Sequence, residues 1–437
     1  MTAIAEALSP RDTHLADAAR WLRRGALLNG VIALITLLLG ILAAARIIPF
    51  ETLRAGLLFN YAGSADTALA IMILLALINV SFMLVLTVGV LAREIWTFPV
   101  LWLLAVANIG LLFALGWLVA GLNAVLCAWL GVRLVRELSS LRVNPVMIKE
   151  LRGRMRGVRA FAVITVYLGL MSGFAALIYL VYAAGNRASG SAAAGEIGRV
   201  LFLGIVGIEL LLIIFIAPAF TAGAITGERE RQTYDLLRTT LLSTPSFVIG
   251  KLESALGYIL LLLLAAIPLQ SIAFLFGGVT EAELVLSFII LTVTAVALGT
   301  VGIYFSSTLA RTLNASVRAY SAILAVMFVA PVVLGVVLRL FSNLFSNQGS
   351  LLFSPVMETV FKYADLLLTS INPIATGLTS QQLLINQNVL GFYQFTLASN
   401  GSTIPLVAPW ISFAVLYLAL SAALIVFTIR STRETEL

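Results

Sequence analysis

Residues 226–252 read TGERERQTYDLLRTTLLSTPSFVIGKL and stand between two apolar runs, 198–224 and 247–276. Each run exceeds the roughly 20 residues that carry an α-helix across a bilayer core. Glu228, Arg231, Asp235 and Arg238 follow at spacings of three, four and three. That spacing puts them on one helical stripe of alternating sign, each pair contributing a few tenths of a kcal/mol. Tyr234, Leu237 and Leu241 form a separate apolar stripe. Thr244 and Pro245 then supply an N-cap and a first helical position, so the chain turns before the next run begins. The pattern predicts a short, stiff helix over 226–243 joining two membrane spans.

The rest of the chain has the same character. Of 437 residues, 61% are apolar and 11% charged. A soluble domain is nearer half apolar and a quarter charged. Further runs occupy 25–45, 67–92, 99–132, 160–183, 283–306, 319–341 and 406–429. The polar segment before 25–45 is too long for a cleavable signal, so that run reads as a retained first span. The net charge of +7 comes mostly from arginines in loops that flank apolar runs. Such loops face the anionic cytoplasmic leaflet, so the charge points to membrane lipids and not to nucleic acid. One cysteine, Cys127, excludes an internal disulfide, and one histidine, His14, leaves no Cys/His zinc cluster.

Positive charge also sets the expected topology. Arg20, Arg23 and Arg24 precede the first run, and segment 133–159 holds eight basic residues against Glu137 and Glu150. Both flanks therefore prefer the cytoplasm, which requires an even number of crossings between them. The long run 99–132 is accordingly read as a hairpin turning near Gly116. This gives about four spans in an N-terminal membrane module (1–140) and six in 160–437, with both termini cytoplasmic. The expected fold class is an all-α polytopic membrane protein with a six-span domain behind a four-span module. Segment 342–405 becomes a long external loop.

At the divide, NPVMIKELRGRMRG (144–157) opens with Asn144 as N-cap and Pro145 at the first helical position. Met147, Ile148, Leu151 and Met155 share one face, while Lys149, Arg152, Arg154 and Arg156 occupy much of the rest. Such a helix lies in the cytoplasmic interface with its cations among anionic headgroups.

The stretch around 226–252 resembles the cytoplasmic loop between the second and third spans of ABC-2-type transporter permeases. The matching elements are Glu228-Arg229-Glu230, Thr233, Leu236-Leu237, Thr244-Pro245 and Gly250-Lys251-Leu252. Order is similar too: an elbow helix (144–157) precedes six spans, and INPIATGL (371–378) resembles the half-penetrating helices before the final span. The likeness covers about 144–437. It implies that 226–243 is a coupling helix docking in a cytoplasmic ATPase through Glu228, Glu230, Arg231, Thr233, Tyr234, Asp235, Leu237, Arg238 and Leu241. It further implies an exporter permease paired with a second permease module, as a homodimer or with a related chain, in a bacterial cytoplasmic membrane. Gln232 replaces the family's usual glycine, a change that suits a helix. The resemblance assigns no role to 1–140.

Glu209 falls about ten residues into its span, near mid-bilayer. An ionised carboxylate there costs ~2.5–3.5 kcal/mol, so it is protonated, paired, or facing a hydrated pathway. Glu253, two residues after Lys251, reads as a near-interface partner of that lysine or of the elbow helix. Asn79, Asn108 and Asn123 are candidates for hydrogen bonds between helices. No GxxxxGK[ST] occurs, so ATP and Mg are expected on a separate ATPase subunit, with no cofactor on this chain. No catalytic constellation is legible, and an enzyme is not expected. The alternative reading is a non-transporting membrane scaffold or lipid-handling partner, which accounts better for the additional N-terminal spans.

Overall fold

The computed structural model describes residues 10–44, 65–91, 93–135, 144–156, 158–185, 191–234, 236, 243–346, 355–387, 389–397, 401 and 403–434. It is helical apart from one β-hairpin. Among the described residues, eight helices are long and apolar enough to cross a membrane. Their outward faces are studded with Leu, Val and Phe, among them Leu103, Phe113, Phe161 and Leu170, all more than half exposed. Apolar surface on that scale requires lipid. The chain is an all-α, multi-pass membrane protein.

The N-terminal bundle comprises α1 (Pro10–Ala44), α2 (Ala65–Leu91), α3 (Thr97–Leu115) and α4 (Leu118–Val135). The run 99–132 is indeed two helices. Gly116 adopts the left-handed conformation (φ 69°) that caps α3, and its N–H donates to the Leu112 carbonyl at 2.9 Å. Leu22, Met83, Leu86, Leu101, Cys127 and Leu130 fill the core. Two amide pairs cross it. Asn29 and Asn123 exchange reciprocal bonds of 2.9 Å between α1 and α4, and Asn108 donates to Asn79 at 2.9 Å between α3 and α2.

The amphipathic α5 (Pro145–Met155) follows, then α6 (Val158–Gly185) and α7 (Ser191–Thr221). A short α8 (Thr226–Glu230) leads to α9 (Thr244–Leu275) and α10 (Glu281–Thr308). Thr280 and Glu283 form a capping box at the start of α10. The next span runs through α11 (Thr312–Leu324), a π-turn (Ala325–Val329) and α12 (Ala330–Ser346). Two shorter helices, α13 (Pro355–Ile371) and α14 (Pro373–Gln387), precede an antiparallel hairpin. Its strands are β1 (Phe392–Thr396) and β2 (Thr403–Val407), in register Phe392↔Val407 through Thr396↔Thr403. The last helix is α15 (Pro409–Glu434).

The core of this second body is built mainly from α7, α9, α10 and α15, with Ala217, Leu263, Leu291, Leu298 and Phe413 at its centre. Helix α10 is the most enclosed span, and α6 and the α11–α12 span are the least covered. The two bodies touch: α2 packs on α15 and also meets α9 and both strands.

Candidate functional site

The loop between α7 and α9 does not fold as one helix. Helix α8 spans only Thr226–Glu230, and Gln232 takes a left-handed conformation (φ 58°) that ends it. Position 232 is therefore a turn position, where glycine is the undemanding occupant and glutamine an uncommon one. The continuous helix expected over 226–243 is therefore broken at Gln232. Asp235, Leu237, Arg238 and Leu241 lie outside the described residues.

What the break achieves is to fold Glu228 inward. Its Oε1 accepts from Lys251 Nζ at 2.6 Å, and its Oε2 accepts from the Thr233 hydroxyl. Lys251 projects from the second turn of α9 and is only 4% exposed. The same ammonium donates to Glu150 Oε1 of α5 at 2.5 Å. One buried cation thus holds two carboxylates from two other elements. Removing Lys251 would leave two partly buried carboxylates without their cation, a loss of up to about 3–5 kcal/mol. Glu253 is not its partner, contrary to the reading from spacing: its carboxylate turns the other way, toward Trp96.

The remaining contacts pin α8 to the end of α10 and the start of α11. Backbone N–H groups of Ile225 and Thr226 donate to Ser306 Oγ at 2.9 and 3.1 Å. Glu230 accepts from the Thr312 backbone N–H at 2.7 Å and from its hydroxyl at 2.9 Å. Arg229 donates to the Leu309 carbonyl at 3.1 Å and lies over the Tyr234 ring. Tyr234 is itself buried, packed with Ile225, Phe247, Val248 and Ile303. Its ring is part of this chain's own core and offers no outward ridge. Among the described residues of the loop, Glu230, Arg231, Gln232, Leu236 and Ser243 are exposed.

Asn144 caps α5, its Oδ1 accepting from Val146 N (3.0 Å) and Met147 N (3.5 Å). Pro145 occupies the first helical position, as the dipeptide dictates. Lys149, Arg152 and Arg156 are exposed. Arg154 is different. It reaches back to the Phe220 carbonyl at 3.4 Å and stacks over the Phe220 ring at 4.9 Å, so it is a tie to α7 and no longer a headgroup contact. Leu151 packs into the core formed by Tyr167, Phe202 and Tyr258, while Ile148 and Met155 remain exposed.

Beside the cap lies Glu94, in the turn between α2 and α3. It is 1% exposed and its Oε1 accepts from Asn144 Nδ2 at 2.6 Å. Burial first, and the nearby Glu253 carboxylate second, push its pKa up to about 7 against the lowering effect of the Asn144 bond. Neither Glu94 nor Trp96 carries a local signal that could have marked it, because their partners are far away in sequence.

Deep in the second body, Glu209 accepts from Gln270 Nε2 at 2.6 Å. The carboxyl is 1% exposed and joins α7 to α9, a helix–helix tie of the kind polar groups make in lipid.

The arrangement is mechanical in its chemistry. Three charged residues lock the elbow helix, the α7–α9 loop and the root of α9 into one unit, and polar bonds extend that unit to α10 and α11. No protein-family model matches the chain, and no curated protein matches it.

Proposed function

We propose that the chain is the membrane-spanning permease subunit of an ABC exporter, driven by ATP hydrolysis on a separate cytoplasmic ATPase. The observation that carries this reading is the Lys251 node, which joins α5, α8 and α9 through bonds of 2.5 and 2.6 Å. A force applied to α8 is thereby delivered to the elbow helix and to two spans together, the task required of a coupling element. The exposed edge Glu230–Arg231–Gln232, with Leu236 beside it, is the proposed docking surface, its charges setting register at a subunit contact. In this reading residues 10–135 form a four-span module, 158–434 form six spans, and the loop, elbow and termini face the cytoplasm.

A second permease module completes the pathway. Helices α6 and α11 both contact α7, and Val166 of α6, Leu211 and Phe215 of α7 and Val317 of α11 are exposed apolar residues that we take as one face. We assign the second module to this face.

The test is extraction in mild detergent followed by identification of co-purifying proteins. An ATPase bearing a phosphate-binding GxxxxGK[ST] loop is expected, and Arg231→Glu should reduce its stimulation at least about tenfold, the loss of ~1.4 kcal/mol at the contact. The thermal unfolding of the membrane protein should be unchanged, since Arg231 is exposed. Absence of any such ATPase, or reaction of Arg231→Cys only with reagent on the outer side of the membrane, overturns the assignment.

A further inference from the structure

The permease reading leaves the N-terminal bundle without a task, yet the bundle makes an ordered contact with the coupling unit. The turn between α2 and α3, Arg93–Trp96, is pressed against the first turns of α9 and the cap of α5. Along α9, Ser246 and Gly250 meet Asn144 and Glu253 meets Trp96, at spacings of four and three that place the three residues on one stripe. Lys251 lies on the neighbouring stripe, toward Glu150. Helix α9 therefore meets the cap of α5 and the N-terminal turn along one stripe, and Glu150 of α5 along the next.

Asn144 stands at the meeting point. Its Oδ1 caps α5, and its Nδ2 donates to Glu94 Oε1 and to the Ser246 carbonyl, both at 2.6 Å. An amide has two donor hydrogens, so both are committed. The bond to Glu94 is the charge-assisted one while that carboxylate is ionised, and it fixes the amide plane that the cap requires. Approach is close: a Cβ on Gly250 would come within 2.5 Å of Asn144 Oδ1. Seven residues beyond Ser246, Trp96 Nε1 donates to Glu253 Oε1 at 2.5 Å. The turn that presents Glu94 and Trp96 is itself held. Glu94 N donates to the Gly89 carbonyl at 3.0 Å, and Thr97 Oγ1 donates to the Glu94 carbonyl at 2.6 Å. Arg93 takes a left-handed conformation (φ 61°) to form it, a geometry that a non-glycine residue keeps only where its surroundings enforce it.

We infer that the N-terminal bundle supplies two positioning residues to the coupling unit: Glu94, which orients the Asn144 cap, and Trp96, which anchors α9 through Glu253. Together they hold the elbow helix and the first two turns of α9 in register, so that motion of α8 reaches the spans instead of being lost in the elbow. The link is a property of this chain alone. Its consequence for transport rests on the permease reading.

The experiment separates the two. Hydrogen exchange is measured on the purified full chain in lipid nanodiscs, without any ATPase, for wild type, Glu94→Ala, Glu94→Gln and Trp96→Phe. Glu94→Ala removes the acceptor of a buried donor, and exchange across 145–155 and 244–252 should rise roughly tenfold. Exchange in α10 should not change. Glu94→Gln keeps a carbonyl for Asn144 Nδ2 and should restore wild-type protection. Trp96→Phe should raise exchange in 244–256 while sparing the elbow. Wild-type protection of 145–155 in Glu94→Ala, or an equal rise in α10, overturns the link. In the second arm, the same variants are assayed with the co-purified ATPase. Glu94→Ala should hydrolyse ATP with at least roughly tenfold less transport per ATP, and Glu94→Gln should be coupled normally. Unchanged coupling in a variant whose elbow exchange has risen overturns the positioning role. Failure to find any ATPase counts against the permease reading and leaves the exchange result standing.

Discussion

At the scale of single residues, Gln232 separates two accounts of the α7–α9 loop by the sign of one substitution. If the residue lay inside a helix, Gln232→Gly would destabilise by about 1 kcal/mol. Its φ of 58° reverses that expectation. The left-handed region costs an L-residue about 1–2 kcal/mol, and glycine has no such cost. Glycine also has more freedom to lose on folding, about 0.5–1 kcal/mol. Gln232→Gly should therefore be neutral or stabilising by up to about 1 kcal/mol, and Gln232→Val should destabilise. Thermal unfolding of the two variants in the same detergent checks this, and a clear loss of stability in the glycine variant contradicts the turn. Lys251 shows a related point. Thr244 and Pro245 announce the start of its helix, but nothing nearby announces Glu150, 101 residues away, as its partner.

At the scale of elements, the chain uses the same device twice. Asn144-Pro145 begins α5, and Asn372-Pro373 begins α14. In both, the asparagine Oδ1 caps the helix while its Nδ2 reaches a different element. Asn372 Oδ1 accepts from Ile374 N at 2.8 Å and Ala375 N at 3.3 Å, and Nδ2 donates to the Met327 carbonyl at 2.8 Å. Met327 lies within the π-turn, where the i→i−4 ladder is interrupted and carbonyls need other donors. Asn372→Ala should lose both bonds, costing about 1–2 kcal/mol for the cap alone. Asn372→Asp keeps the cap acceptor and loses only the donor, so it should fall between alanine and wild type in thermal stability. Equal stability of the aspartate and alanine variants would show that the cap contributes nothing.

The Asn144 cap is legible in the sequence because a cap is a local transaction between adjacent residues, and the same holds for the turn at Gly116. The cap expected at Thr244 falls one residue inside its helix, behind Ser243. The Met327 acceptor, the Ser306 bonds and the Trp96–Glu253 bond are not legible, since they arise only when distant helices pack. The 226–243 stripe misleads for the same reason. Its spacing is helical, but Lys251 and Thr233 recruit Glu228 from the side and the loop turns at Gln232.

For the whole molecule, the unequal covering of the spans carries the last argument. Lipid covers any apolar face, so exposure of α6, α7 and α11 does not by itself require a second copy; what distinguishes this face is its position. Helix α7 leads into the α7–α9 loop, and Tyr320 of α11 is tied to α7 by a 2.7 Å bond to the Phe215 carbonyl. Two copies meeting here would bring two coupling units into one assembly, which a pathway between subunits needs. A two-fold contact is isologous, so a residue near its axis meets itself. The chain's one cysteine, Cys127, is buried, so introduced thiols report without interference. Leu211→Cys, an exposed position on α7, should give a dimer band with a short bifunctional thiol reagent in native membranes. Leu103→Cys, more exposed still but on the N-terminal bundle, should not. Equal yields from the two positions would mean random collision in the bilayer. No dimer from Leu211→Cys, Val166→Cys or Val317→Cys would remove this face as the site of the second module, and with it the geometry proposed for the pathway.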